Sequence, residues 1–177
     1  MLVPDVIDFE KNVDIFKLEK NLFDITDFKC SNPEYESYIK DDAYKDQTKF
    51  IAQTWVFVHK NENVIGYVSI AMGDLNKIQH KKLNHFPHTN VPGLLLGRIA
   101  TRKEWEKHDV GQTMVEWVFS EAIRYSTDVG CRILYLNPED GVDTWYSEKM
   151  KFVPIKNKHG KVVTMFHDLQ KYLNQSS

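Results

Sequence analysis

Between Arg98 and Trp117 the chain reads RIATRKEWEKHDVGQTMVEW, and Lys107, His108, Asp109, Gly111 and Gln112 fall where a short apolar run gives way to a helical pattern. Asp109 stands three residues before Gln112, the spacing of a helix N-cap and its reciprocal partner. The spacing predicts a carboxylate that caps the first free amides of the helix. Charge points the same way along the chain. Residues 77–108 carry seven Lys or Arg against two Glu, whereas residues 1–48 carry six Lys against twelve Asp or Glu. A basic strip in a chain of net charge -2 reads as a surface for an anionic ligand or a nucleic acid, or as a solvated face with no partner.

Other reactive side chains are scattered. His80, His85 and His88 share the segment 73–91 with Lys77, Lys81 and Lys82; the lysines suit phosphate, and a plain solvated loop is the competing account. The histidines do not converge as zinc ligands do, so no metal is expected. Cys30 and Cys131 have no ligand spacing and read as small buried hydrophobes. Trp55, Trp105 and Trp117 read as packing residues.

Elements that could position these groups follow from periodicity. VDIFKL (13–18) alternates as a strand. SNPEYESYIKDDAYKDQ predicts a helix capped by Ser31 with Glu34, Pro33 early in its first turn, and Tyr35, Tyr38, Ile39 and Ala43 on one side. IAQTWVFVH and NVIGYVSIAM form a hairpin across KNEN. Residues 73–91, apolar only at Leu75, Ile78, Leu83 and Phe86 before Val91, predict a long functional or mobile connection. GLLLGRIAT (93–101) is a buried strand. Met114, Val115, Val118, Phe119, Ala122 and Ile123 stripe a helix from about Gly111 to Ser126. CRILYLN, DTWYSEKM and the hairpin KFVPIK–NKHG–KVVTMFHDL complete a β-α-β-β-β-α-β-α-β-β order. The fold class is therefore α/β, a mixed sheet of six to seven strands with helices on its faces. The unit from 93 to 137 forms a right-handed parallel crossover or opens a splayed edge beside the helix.

On these residues the sequence resembles the GNAT superfamily of acyl-CoA N-acyltransferases. In that family a strand, a Gln/Arg-x-x-Gly-x-Gly/Ala loop and a helix N-terminus cradle the coenzyme A pyrophosphate, because the first helical amides are unpaired and the dipole is positive there. Aligned without a gap, Glu106 falls at the Gln/Arg position, Asp109 at the first glycine and Gly111 at the last. WYSEKMKFVPI resembles the family's aromatic-Tyr-x-x-x-Gly-Phe segment. FKCSNPEYESYIKDDAYKDQ, LLLGRIAT and TMFHDL resemble the GNAT toxins of toxin-antitoxin modules, which acetylate the α-amino group of aminoacyl-tRNA.

The resemblance implies a GNAT fold over a single domain, residues 1–177, with acetyl-CoA as cosubstrate. Ile99 and Thr101 would pair with pantetheine through their backbone, Asn137 would meet the pantetheine arm, and Lys107, His108, Asp109, Val110, Gly111 and Gln112 would wrap the pyrophosphate. Tyr146 would protonate the departing thiolate, its phenol being protonated at neutral pH. Arg98 would contact substrate phosphate or close the sheet edge, and Trp145 would line the acceptor pocket. The strand 93–101 has no carboxylate to act as base; Glu62, a loop histidine or water could serve. An α-amine titrates about two to three units below a lysine amine and needs less help, which fits aminoacyl-tRNA. A small free amine or a protein amine is the rival acceptor, and a non-catalytic coenzyme- or partner-binding module the rival of another class. A homodimer and an antitoxin partner are family-level expectations. No signal peptide or long apolar stretch is present, and the cytoplasm is the expected compartment, away from membranes.

Overall fold

A computed structural model describes residues 9–60 and 64–175. Glu62, one of the possible bases, lies outside the described residues. Seven strands hydrogen-bond in the order β1-β2-β3-β4-β5-β7-β6: β1 Val13–Lys17, β2 Gln53–His59, β3 Val64–Asn76, β4 Asn90–Thr101, β5 Ile133–Leu136, β6 Val153–Lys156 and β7 Val162–Asp168. The helices are α1 Phe9–Asn12, α2 Pro33–Ser37, α3 Ala43–Thr48, α4 Val110–Asp128, α5 Asp143–Glu148 and α6 Leu169–Gln175. The mixed α/β sheet is the one expected. β1, β2 and β3 pair antiparallel; β4 and β5 run parallel over Gly93–Leu95 and Ile133–Tyr135; β7 pairs antiparallel with β5 and β6. Two compact units divide the chain, Met1–Ala71 with Gly97–Trp117 and Met72–Leu96 with Val118–Ser177.

In the first unit, alternation along the strands sorts side chains onto two faces. Val56 and Tyr67 turn to one face and join Leu18, Phe28, Tyr38, Ile39 and Ala43 in a buried cluster. Trp55 and Phe57 turn to the other and meet Trp117 of α4, with ring centroids 5.2 and 5.7 Å apart. Helices therefore cover both faces of this unit's sheet. Gly66 lets α4 approach: a Cβ there would lie 2.7 Å from Met114 Sδ and 3.0 Å from the Ala100 carbonyl oxygen.

The predicted helix 33–47 is present with two differences. Its N-cap is Asn32, whose side chain accepts from the Glu34 amide at 2.9 Å, not Ser31, whose hydroxyl instead donates to Glu106 at 2.7 Å. The extended backbone of Asn32 leaves its carbonyl and side chain both aimed at the first turn. Between α2 and α3 the chain widens into a π-helical turn, Tyr38–Asp42, with the Ala43 amide donating to the Tyr38 carbonyl. That wider turn lets Tyr38, Ile39 and Ala43 all reach the core.

In the second unit, Ile133, Tyr135, Ile155 and Phe166 form one core face with Leu75, Leu83, Phe86 and Val91. The other face holds Phe119 against Phe152 and His167, at 5.6 and 5.0 Å between centroids. The segment 73–91, expected as one long functional or mobile connection, is largely taken up by regular elements. β3 runs on to Asn76, β4 begins at Asn90, and two 3-10 turns, Lys77–Gln79 and Lys81–Leu83, lie between. Burial of its few apolar residues drives this order, since Leu83 is fully buried and Phe86 nearly so, whereas Ile78 stays exposed. Gly73 packs closely on Tyr135, whose hydroxyl would have to shift if a Cβ were added there.

Candidate active site

In the first unit the end of β4 leads through a 3-10 turn, Lys103–Trp105, to α4. Four contacts hold this connection. The Arg102 amide and Nε both donate to β3 carbonyls, those of Ile65 and Val64, at 2.7 Å. The Lys103 amide donates to the Lys29 carbonyl at 2.8 Å, and buried Trp105 packs on His59 with ring centroids 4.9 Å apart.

Backbone handedness then changes twice in three residues. Lys107 has φ 68° and Asp109 φ 58°, both left-handed, and His108 between them does not share that conformation. Turns with residues of this handedness are the kind that aim successive N-H groups at an anion, and α4 begins at the next residue with its own free amides. The expected capping pair is corrected: Gln112 Nε2 donates to Glu116 at 2.9 Å, one turn ahead. Asp109 caps through its carbonyl, which accepts from the Thr113 amide and hydroxyl at 3.0 and 3.2 Å. Aspartate tolerates the left-handed region better than most residues, which accounts for its presence where the family loop has glycine. Gly111 meets little protein: a Cβ there would find only Thr101 Oγ1, at 3.8 Å. Thr101 and Gly111 are thus neighbours at the start of α4, directly after the Lys107–Asp109 turn.

Arg98 lies on β4 with its guanidinium carbon 4.1 Å from the Tyr38 ring centroid, and its buried Nε has no hydrogen-bond partner among the described residues. The Tyr38 hydroxyl shares a hydrogen bond with Ser69 Oγ at 3.0 Å. Nearby, the Tyr67 hydroxyl donates to the Tyr35 carbonyl at 2.8 Å, and burial holds this phenol protonated far above its ordinary range. A guanidinium stacked on an aromatic ring is held in orientation, and its planar fork suits a phosphate or carbonyl oxygen of an acceptor. Sequence reasoning named Arg98 but not Tyr38 or Ser69 as its surroundings. Tyr38 carried a helical-stripe signal that pointed only to packing.

In the second unit, Tyr146 is buried on α5 and packed edge-on against Trp145 and Phe152, at 4.9 and 5.7 Å between centroids. The Phe152 amide donates back to the Tyr146 carbonyl at 3.1 Å, so the turn through left-handed Lys151 closes on the tyrosine. Trp145 is half-buried beside it. Asn137, just past β5, accepts from Thr164 Oγ1 at 2.8 Å; Thr164 was not foreseen, and only the tertiary pairing of β5 with β7 identifies it. Ile99 lies half-buried on β4 in the first unit.

No protein-family model matches the sequence. Solved structures do match the fold. AtaT complexed with acetyl-methionyl-tRNAfMet aligns with TM-score 0.82 at 15% identity, over 93% of this chain and 99% of that one. A tyrosine-to-phenylalanine mutant of KacT aligns with TM-score 0.82 at 16% identity, over 93% and 99%. A tyrosine-to-phenylalanine mutant of AtaT, bound to the C-terminus of the antitoxin AtaR and to acetyl-CoA, aligns with TM-score 0.77 at 15% identity, over 93% and 98%. The chain therefore has the GNAT fold of the AtaT and KacT toxin structures.

Proposed function

We propose that this protein transfers an acetyl group from acetyl-CoA to a primary amine, and that the amine is the α-amino group of an aminoacyl-tRNA. The observation that carries the reading is the left-handed Lys107 and Asp109 pair at the start of α4, a backbone shape that serves an anion. Its fit to a pyrophosphate is supported by Gly111, where the missing side chain leaves room beside Thr101. The amides of Val110, Gly111 and Gln112, with Lys107 and His108, would hold the phosphates; Ile99, Thr101 and Asn137 would hold the pantetheine arm. When bound, acetyl-CoA supplies the activated acetyl thioester. Tyr146 would hold the proton that the leaving sulfur requires, its phenol being protonated at neutral pH. Arg98 and Trp145 would orient the acceptor. β4 carries no carboxylate, so an α-amine, which titrates at about pH 8, suits the site better than a lysine, which titrates about two units higher.

Radiolabelled acetyl-CoA offered with charged tRNA, uncharged tRNA, polyamines and free amino acids tests the proposal. Label is expected on charged tRNA alone. Label on a polyamine or amino acid in its place would move the acceptor to the small-amine class. One observation favours a non-catalytic module: Asp109 sets an exposed negative charge at the helix start that the pyrophosphate would use. Calorimetry decides it, since no heat at millimolar acetyl-CoA would end the transferase reading. An antitoxin partner is proposed on the AtaR complex of AtaT, and a homodimer as the assembly.

A further inference from the structure

Within the second unit, a cavity of about 570 Å³ is lined by Lys82, His85, Lys151, Phe166, Asp168 and Lys171 among others. The three lysines come from three elements: the second 3-10 turn, the left-handed turn before β6, and α6. Two are braced by backbone, Lys82 Nζ donating to the Pro154 carbonyl at 2.6 Å and Lys151 Nζ to that of Glu148 at 2.7 Å. The one carboxylate in the wall does not oppose them. Asp168, with only 4% of its side chain exposed, accepts two bonds from Arg132, at 2.9 and 3.1 Å, so its charge is offset inside the protein. His85 Nε2 stands 3.6 Å from the same carboxylate, and its ring lies over Phe86 at 4.0 Å between centroids. Charge in the cavity is therefore strongly positive, above a floor of Phe166 and Val153.

We propose that this cavity binds a phosphodiester unit of a nucleic-acid strand. It rests on the reading that the acceptor is a nucleic acid, and it adds a binding site made of residues that acetyl transfer does not use. Lysines act as point charges toward phosphate, whereas carboxylates of an acidic peptide are best met by the arginine fork, and Arg132 is already committed to Asp168. The space is many times that of a phosphate ion. Its apolar floor and the exposed edge of His85 suit a ribose or a base face, which stacks on such rings without regard to sequence.

Each phosphate neutralised adds roughly 0.7 to 0.9 to the logarithmic salt slope, or roughly five- to eightfold in affinity at 0.1 M salt. Fluorescent tRNA titrated into the full chain at several salt concentrations reads both quantities. Lys171→Ala and Lys151→Ala are each expected to weaken binding by about that factor and to make the slope shallower by about one. Lys45→Ala, an exposed lysine outside the cavity, measures the general effect of losing one charge. Should the cavity variants shift no more than Lys45→Ala, the site is refuted. Lys171 stands exposed on α6, so its truncation keeps the test intact if Lys151→Ala fails to fold. A mononucleotide should compete better than inorganic phosphate at equal concentration; equal competition overturns the strand proposal. Acetylation of charged tRNA with unaltered binding by the cavity variants removes the site and leaves the substrate reading. Loss of polynucleotide binding in those variants without acetylation of charged tRNA does the reverse.

Discussion

Two residues carry opposite expectations for the chemistry. Tyr146 is held by rings on two sides, so Tyr146→Phe should keep its packing and remove only the proton donor. We expect kcat to fall about a hundredfold with the acetyl-CoA dissociation constant unchanged, measured by steady-state kinetics beside calorimetry. Asp109 is the inverse case. It combines a left-handed backbone, which glycine adopts without steric cost, with a negative charge where phosphate would sit. Asp109→Gly should tighten acetyl-CoA binding by about tenfold, the equivalent of roughly 1.4 kcal/mol, and unchanged or weaker calorimetric affinity would refute the coenzyme cradle. The Asp109 to Gln112 spacing is legible in the sequence and predicts a side-chain cap. Its true meaning was backbone handedness, a property that residue spacing does not encode.

At the level of elements, glycine and the π turn matter more than helix propensity. Strand β3 passes under α4 at Gly66, where a side chain meets the backbone carbonyl of Ala100 as well as the more adaptable Met114. Gly66→Val is expected to cost about 2 kcal/mol through overpacking, visible as a lower urea midpoint with an unchanged slope. Gly111→Ala provides the contrast, since its Cβ finds only an ordinary contact at 3.8 Å: stability should hold while acetyl-CoA binding weakens. Apolar periodicity located the helix at 33–47 and the α4 stripe, because those patterns follow from which faces must be buried. It could not reveal the π turn at Tyr38–Asp42, which satisfies packing by Tyr38 and Ala43 together. The segment 73–91 looked loop-like because its apolar residues are sparse, yet Leu83 and Phe86 are enough to seat it on the core.

For the whole molecule, acid should act through two groups on β7. Burial holds His167 below its ordinary value of 6.5, so the unfolded chain takes up this proton first and stability declines as pH drops below that value. Burial pushes the Asp168 carboxyl up, but the Arg132 bonds outweigh it and leave its pKa below 3.8. That contribution is complete above 3.8 and is lost only as pH falls through the lower folded value. Urea titrations from pH 8 to 3 should show an early decline that His167→Gln removes, followed by a later one that Asp168→Asn removes. At neutral pH Asp168→Asn should cost about 2 kcal/mol, since Arg132 is left with an uncharged partner.

The sequence by itself determined the α/β class, a mixed sheet of six to seven strands and the resemblance to GNAT toxins, because hydrophobic periodicity and turn residues are local consequences of burial. It also singled out Tyr146, Arg98 and the loop before α4 as the residues to test. Tertiary structure alone decided what surrounds them. Tyr38 beneath Arg98, Thr164 against Asn137, and Lys82, Lys151 and Lys171 around one cavity are unions of residues far apart in the chain. Such unions depend on strand pairing and side-chain direction, which a one-dimensional pattern does not carry.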